Sequence, residues 1–175
     1  MSDKVKALMT ERFIFRDIKP EETQQAIDME QICFPPNEAC SPERMRERIA
    51  RAPEVFLVAE DKETGKLAGS INGLSTKETV FRDEFFLDAG LYDPDGENIM
   101  LLGVDVLPEY RRQGLAQAMM EEYARREHAK GRKKLLLTCL DSKVGMYEKF
   151  GFTDLGPANS TWGGEEWHEM RYITK

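Results

Sequence analysis

Sulfur is scarce in this chain. Three cysteines occur, Cys33, Cys40 and Cys139. Their number is odd, no C-x-x-C is present, and no histidine lies near any of them in sequence. That argues against a disulfide framework and a zinc site, and no other metal site is expected. Apolar runs are short too. None approaches the roughly 18 residues of a membrane span. The opening MSDKVKALMTERF has no continuous apolar segment of the secretory kind. The expectation is a soluble, cytoplasmic protein with reduced thiols. Positive charge is in deficit, with 25 Lys+Arg against 32 Asp+Glu and a net charge of −7. This argues against general affinity for nucleic acid or an anionic membrane. It suits a cationic small molecule, although solubility alone accounts for it. Neither G-x-x-x-x-G-K-[ST] nor G-x-G-x-x-G occurs, so a P-loop or a nicotinamide site has no support.

Hydrophobic residues make up 41% of the 175. That is enough for a real core and about one domain's length, spanning 1–175. RFIFRDI alternates as a first strand. KPEETQQAIDMEQICF follows with Ala26, Ile27, Met29, Glu30 and Cys33 at helical spacing. FPPNEAC is a loop, because Pro35 and Pro36 remove backbone donors. SPERMRERIARAP opens on Ser41 as N-cap and Pro42 in the first turn. EVFLVAEDKETGKLAGSINGLS reads as two strands around a turn at 61–65. Residues 76–98 form a long, polar, partly helical excursion. Residues 99–107 are apolar on both faces, as in a central strand covered on both sides. Residues 115–129 make an amphipathic helix. KKLLLTCL is another buried strand, DSKVGMYEKFG a short helix ended by Gly151, and FTDLGPA and EEWHEMRYITK two closing strands around NSTWGG. The order β-α-α-β-β-β-α-β-α-β-β predicts one mixed α/β (α+β) sheet.

The junction at 110–114 turns abruptly basic between a buried strand and a helix. The first turn of a helix offers unpaired N–H groups and a partial positive charge. Gly114 lets a ligand approach the backbone, and Ala116 keeps the next turn slim. Arg111 and Arg112 add full charges. The stretch is either a phosphate or pyrophosphate site or a solvated turn capping the helix.

VDVLPEYRRQGLA resembles the acetyl-coenzyme A signature of the GNAT superfamily of N-acetyltransferases. Arg111, Gly114 and Ala116 match its three diagnostic positions. CLDSKVGMYEKFGF is similar to the family's second motif, in which a tyrosine precedes a Lys-Phe-Gly-Phe turn. A closer likeness is to the arylalkylamine (serotonin) N-acetyltransferase-like group, carried by CFPPNEACSP, MYEKFGF and GGEEWHEM. The resemblance implies a single-domain fold with a mostly antiparallel seven-stranded sheet, about four helices and a splayed central strand. It implies that backbone groups of Val104, Asp105 and Val106 hold acetyl and pantetheine. The pyrophosphate would lie over Arg112, Gln113, Gly114, Leu115, Ala116 and Gln117, with Ser142 a further contact. The arylalkylamine group carries a histidine pair ahead of the signature. Met100 and Leu102 stand there instead.

The chemistry needed is attack of an amine on a thioester. Backbone N–H groups can hold the developing oxyanion if the strand is locally opened. Gly103 permits either a bulge there or close packing of a helix. Tyr147, with a reference pKa of about 10, is either the general acid toward the leaving sulfur or a packed aromatic. Asp105 interrupts an apolar strand, where an unused carboxylate is costly; it is a base or a partner of backbone amides. His168 titrates in the right range or is a half-buried strand residue. Glu38 binds a cationic amine or is a loop charge. Phe34, Pro35, Pro36 and Trp167 wall an apolar acceptor pocket or pack in the core. The expected activity is direct acetyl transfer from acetyl-coenzyme A to a small primary amine, an arylalkylamine or a polyamine. The alternatives are a protein or peptide amine, or a non-catalytic acyl-coenzyme A sensor. A monomer and a homodimer are both compatible with the sequence.

Overall fold

A computed structural model describes residues 1–175. The elements run α1 (Asp3–Arg12), β1 (Phe13–Asp17), α2 (Thr23–Cys33), α3 (Pro42–Arg51), β2 (Phe56–Asp61), β3 (Leu67–Thr76), α4 (Glu84–Leu87), β4 (Asn98–Val106), α5 (Leu115–Ala129), β5 (Lys134–Cys139), α6 (Asp141–Lys149), β6 (Thr153–Pro157) and β7 (His168–Ile173). The strands form one sheet in the order β1-β2-β3-β4-β5-β7-β6. Every pairing is antiparallel except β4 with β5. This is the mixed, mostly antiparallel seven-stranded architecture expected from the sequence. There are six α-helices, not about four. The two extra ones are α1 and the four-residue α4, which lies in the polar excursion.

Local rules account for the boundaries. Ser41 caps α3, its hydroxyl accepting from the Arg44 amide at 3.3 Å, with Pro42 in the first turn. α1 buries only Met9 fully, which is why it left no apolar stripe in the sequence. Ser2 caps it. The excursion is held by Phe81 and Phe85, both buried, with Phe86 tilted against Phe81 at 5.2 Å. The core has two parts. The larger joins the central strands to α5 through Leu115, Met119, Met120 and Tyr123. The smaller joins α2 and α3 to β2 through Ile27, Met29, Met45 and Val58. No helix is long and apolar enough to cross a membrane.

Two irregularities in β4 position the site. Asn72 pairs with Gly103 but Gly73 pairs with Leu101, so Leu102 is an extra residue and the strand bulges there. On its other side β4 pairs with β5 only from Asn98 to Met100. Beyond Met100 and Leu136 the two strands part.

Candidate functional site

The parting strands open a cleft of about 740 Å³. Residues 101–104 of β4 form one wall and residues 137–140 the other. Gly103 thus sits beside a bulge. Its tight neighbours are side chains: a carbon added on its Cα would lie 2.8 Å from Asn72 Nδ2 and 3.1 Å from Asp105 Oδ1.

One end of the cleft is the start of α5. Gly114 adopts φ +94° and Arg112 φ +61°, both left-handed. The Arg111 amide bonds Pro108 and the Ala118 amide bonds Gly114, while the amides of residues 112–117 meet no backbone acceptor. A left-handed pair followed by a helix start points successive N–H groups the same way, a concavity suited to an anion. Arg111 Nε donates to Val106 O at 2.9 Å, which fixes the guanidinium at the strand end. Arg111, Arg112, Gly114, Leu115, Ala116 and Gln117 border the cleft. The side chain of Gln113 turns away, donating to Glu109 O and accepting from Arg12. Val104 and Val106 border the cleft, whereas Asp105 faces the opposite side of the strand. Ser142 is exposed and outside the cleft, whose border there is Lys143.

Tyr147 reaches the cleft from α6 and is 8% exposed. Its ring is braced edge-on by Phe150 and Phe152. Burial pushes its phenol well above the ordinary value, with Cys139 and Asp105 adding to the effect. A phenol this reluctant to ionise can donate a hydrogen bond and stays neutral at working pH. The Cys139 thiol is pushed up to about 12, chiefly by burial, and is poorly suited to act as a nucleophile.

The cleft also has an aromatic lining. Phe34, Pro35, Phe86, Trp162 and Trp167 line it together with Glu38. Trp162 stacks on Phe86 at 4.8 Å and donates to Glu38 O at 3.0 Å. Trp167 Nε1 donates to Trp162 O at 2.9 Å. Burial raises the Glu38 carboxyl, and Glu165 raises it further. Pro36 is exposed and does not reach the cleft. His168 is also outside it. The alternation of β7 aims its ring at Asp154 (Nδ1, 3.1 Å) and Asp141 (Nε2, 3.2 Å). Neither Pro36 nor His168 joins the constellation expected from the sequence.

Beneath Gly103 lies a knot of buried polar groups. Glu30 is 3% exposed, Asn72 1%, Asp105 1% and Arg48 3%. Burial, and then the charge of Glu30, hold the Asp105 carboxyl well above the usual range. Glu30 also borders the cleft. Glu30, Phe86 and Trp162 border the cleft but were not among the site candidates read from the sequence. A carboxylate within the buried row Ala26, Ile27, Met29 of α2 was the available signal for Glu30. The two aromatics lay in irregular segments without a pattern.

Comparison with known proteins places this geometry in context. Residues 23–152 match the family model described as Acetyltransferase (GNAT) family. The probable hydrolase YhcX of Bacillus subtilis (strain 168) is 27% identical over 158 residues, covering 86% of this chain. The chain spans only 30% of that relative's length. The loading GNATL domain of CurA from Lyngbya majuscula superposes with a TM-score of 0.78 at 16% identity, covering 93% of this chain and 98% of that one. The GphF GNAT-like decarboxylase, in complex with isobutyryl-CoA, gives 0.79 at 16% identity, covering 93% and 100%. At these identities the structural likeness speaks for the fold alone.

Proposed function

The chain belongs to the GNAT family of acetyltransferases, enzymes that use acetyl-coenzyme A, and from that premise we propose that it acetylates the primary amine of an arylalkylamine directly, with no acyl-enzyme. When bound, acetyl-coenzyme A supplies an acyl carbonyl whose C–S bond breaks as the C–N bond forms, the sulfur leaving as the thiol. The residues present fit such a carrier. The amides of residues 112–117 meet no backbone acceptor and lie at the start of a helix, where an anion is favoured. The opened edge of β4 offers main-chain groups to an extended, amide-bearing arm.

The observation that carries the acceptor assignment is the set of Phe34, Phe86, Trp162 and Trp167 lining the cleft. An aryl ring seated there buries apolar surface against flat partners, and Glu38 lies close enough to favour a cation. These residues also support the likeness to the arylalkylamine group. Tyr147 donates a hydrogen bond that strengthens as charge builds on sulfur. Backbone N–H groups near the bulge hold the carbonyl oxygen. The test is thiol release from acetyl-coenzyme A with a panel of amines. Turnover of 2-phenylethylamine well above that of spermidine and of a peptide amine is expected. Tight coenzyme A binding without thiol release from any amine would instead mark a sensor. Tyr147→Phe is expected to lower turnover about 100-fold or more while coenzyme A affinity changes less than about twofold; unchanged turnover removes its role.

A further inference from the structure

We propose that Glu30 and Asp105 hold a single proton between them and, with Asn72, form the group that takes the proton from the incoming ammonium. This rests on the amine-acetylation reading above.

The geometry is specific. Of the five buried side-chain polar atoms without a hydrogen-bond partner, three belong to this knot: Glu30 Oε1, Asp105 Oδ1 and Asn72 Nδ2. All three converge on one point. A carbon added to Gly103 would lie 3.5, 3.1 and 2.8 Å from them respectively. The other side-chain polar atoms of Glu30 and Asn72 are committed. The Cys40 amide donates to Glu30 Oε2 at 2.9 Å. Arg48 Nη1 donates to Asn72 Oδ1 at 3.2 Å, which fixes the amide so that its N–H faces the carboxylates.

Two ionised carboxylates are acceptors only, and side by side in a buried site both cannot stay charged. One proton resolves this. The O–H of one carboxyl donates to the other, and Asn72 Nδ2 donates to the remaining anionic oxygen. The charged groups facing the pair are Arg48 from α3 and Arg111 from the loop before α5, both favouring the anion. Cys33 and Cys40, also close by, have thiols raised to about 11 by burial and stay neutral. The pair therefore carries one negative charge at neutral pH and can accept one more proton. Of its two members only Glu30 borders the cleft. The ammonium N–H bond breaks, an O–H bond forms on the pair, and the nitrogen lone pair becomes free to attack the acyl carbon. Glu30 is the member that meets the acceptor; Asp105 is a positioning residue that keeps the proton shared.

Two measurements test this on the intact protein, with Glu30→Gln and Asp105→Asn as isosteric variants checked for unchanged melting behaviour and coenzyme A affinity. Infrared spectroscopy at pH 7 is expected to show a protonated-carboxyl stretch, sensitive to deuterium, in the parent and in neither variant. Its absence from the parent overturns the shared proton. Kinetics use 2-phenylethylamine, with a pKa near 10 as for lysine, and its 2,2-difluoro analogue, which fluorination makes largely neutral at pH 8. Glu30→Gln is expected to cost about 100-fold or more in kcat/KM with the basic amine, and less than about fivefold with the neutral one. Equal losses with both overturn the proton-accepting role. If the parent acetylates neither amine, the acceptor reading falls and that role with it, while the infrared band still decides the shared proton.

Discussion

Replacing Gly114 by alanine isolates the anion-binding turn. Gly114 sits at φ +94°, where a side chain costs about 1–2 kcal/mol. The added carbon would lie 3.2 Å from Val5 Cγ1 of α1, a contact that the methyl end can relieve by a small shift. Backbone conformation therefore sets the cost. At this chain length about 1–2 kcal/mol lowers Tm by roughly 2–8 °C. If the residue relaxes toward negative φ, the amides on either side rotate out of register. A hydrogen bond to a charged group is worth about 1.5–3 kcal/mol, so losing one raises the Kd for coenzyme A roughly 10–100-fold. Gly131→Ala is the control. It imposes the same strain, at φ +91°, beyond the far end of α5, with no atom within 4 Å of the added carbon. Calorimetry with coenzyme A and with pantetheine, which lacks the diphosphate, reads the outcome. Gly114→Ala is expected to weaken coenzyme A alone, and Gly131→Ala neither ligand. An unchanged Kd for coenzyme A in Gly114→Ala, or a matching loss in Gly131→Ala, refutes the reasoning.

Trp162→Ala removes the face stacked on Phe86 at 4.8 Å. Its expected effect is a rise of about tenfold in KM for 2-phenylethylamine, as a lost aromatic pair and its burial imply, with coenzyme A affinity held; equal KM values would discredit the aromatic pocket. Arg48→Met leaves Asn72 Oδ1 and Phe86 O without their donor. At about 1–3 kcal/mol for each unsatisfied group, urea denaturation should show a loss of about 2–6 kcal/mol, and a loss below 1 would contradict it. The Tyr110 hydroxyl, 2.6 Å from Asp61 Oδ2, is the main cause holding that carboxyl below its usual value. A depressed carboxyl stabilises the fold above its unfolded pKa of about 3.9 and loses that contribution as pH falls through the folded value. Tyr110→Phe should therefore be less stable than the parent at pH 7, with the gap closing on acidification to pH 3. A gap independent of pH is the contrary result.

The strands were legible because burial on a pleated surface leaves a two-residue or continuous apolar pattern. β4 is the clearest case: every residue from Asn98 to Val106 except Val104 is buried. α1 was not legible, because a helix that buries one methionine needs no stripe. The glycine-marked turn could be read from its residue types alone, since left-handed backbone and free amides are local properties. The acceptor side could not. Phe86, Trp162 and Glu30 come from three distant segments, and only the sheet order brings them to one cleft. His168 shows the converse case. A suitable titration range drew attention to it, but strand alternation turned it toward Asp154 and Asp141.

The opening in the sheet depends on two glycines rather than on any reactive side chain. A carbon on Gly73 would lie 2.6 Å from Met100 O and 2.8 Å from Ile99 Cγ2, so only glycine lets β4 press this closely on β3. Paired with Asn72, one residue before Gly73, Gly103 leaves room for the side chains of Asn72 and Asp105. Between these two close approaches Leu102 is the extra residue, and past it β4 leaves β5. Unpaired main-chain groups are costly in a dry interior. Here they border a cleft, where water or an extended amide-bearing ligand can complete the ladder. A ligand held in this way is selected by its backbone-like arm and its anionic end, not by the side chains of β4. Asn72 and Asp105 both approach Gly103 beside this bulge, so on the proposed reading one backbone irregularity serves both the carrier's slot and the carboxyl pair beneath it.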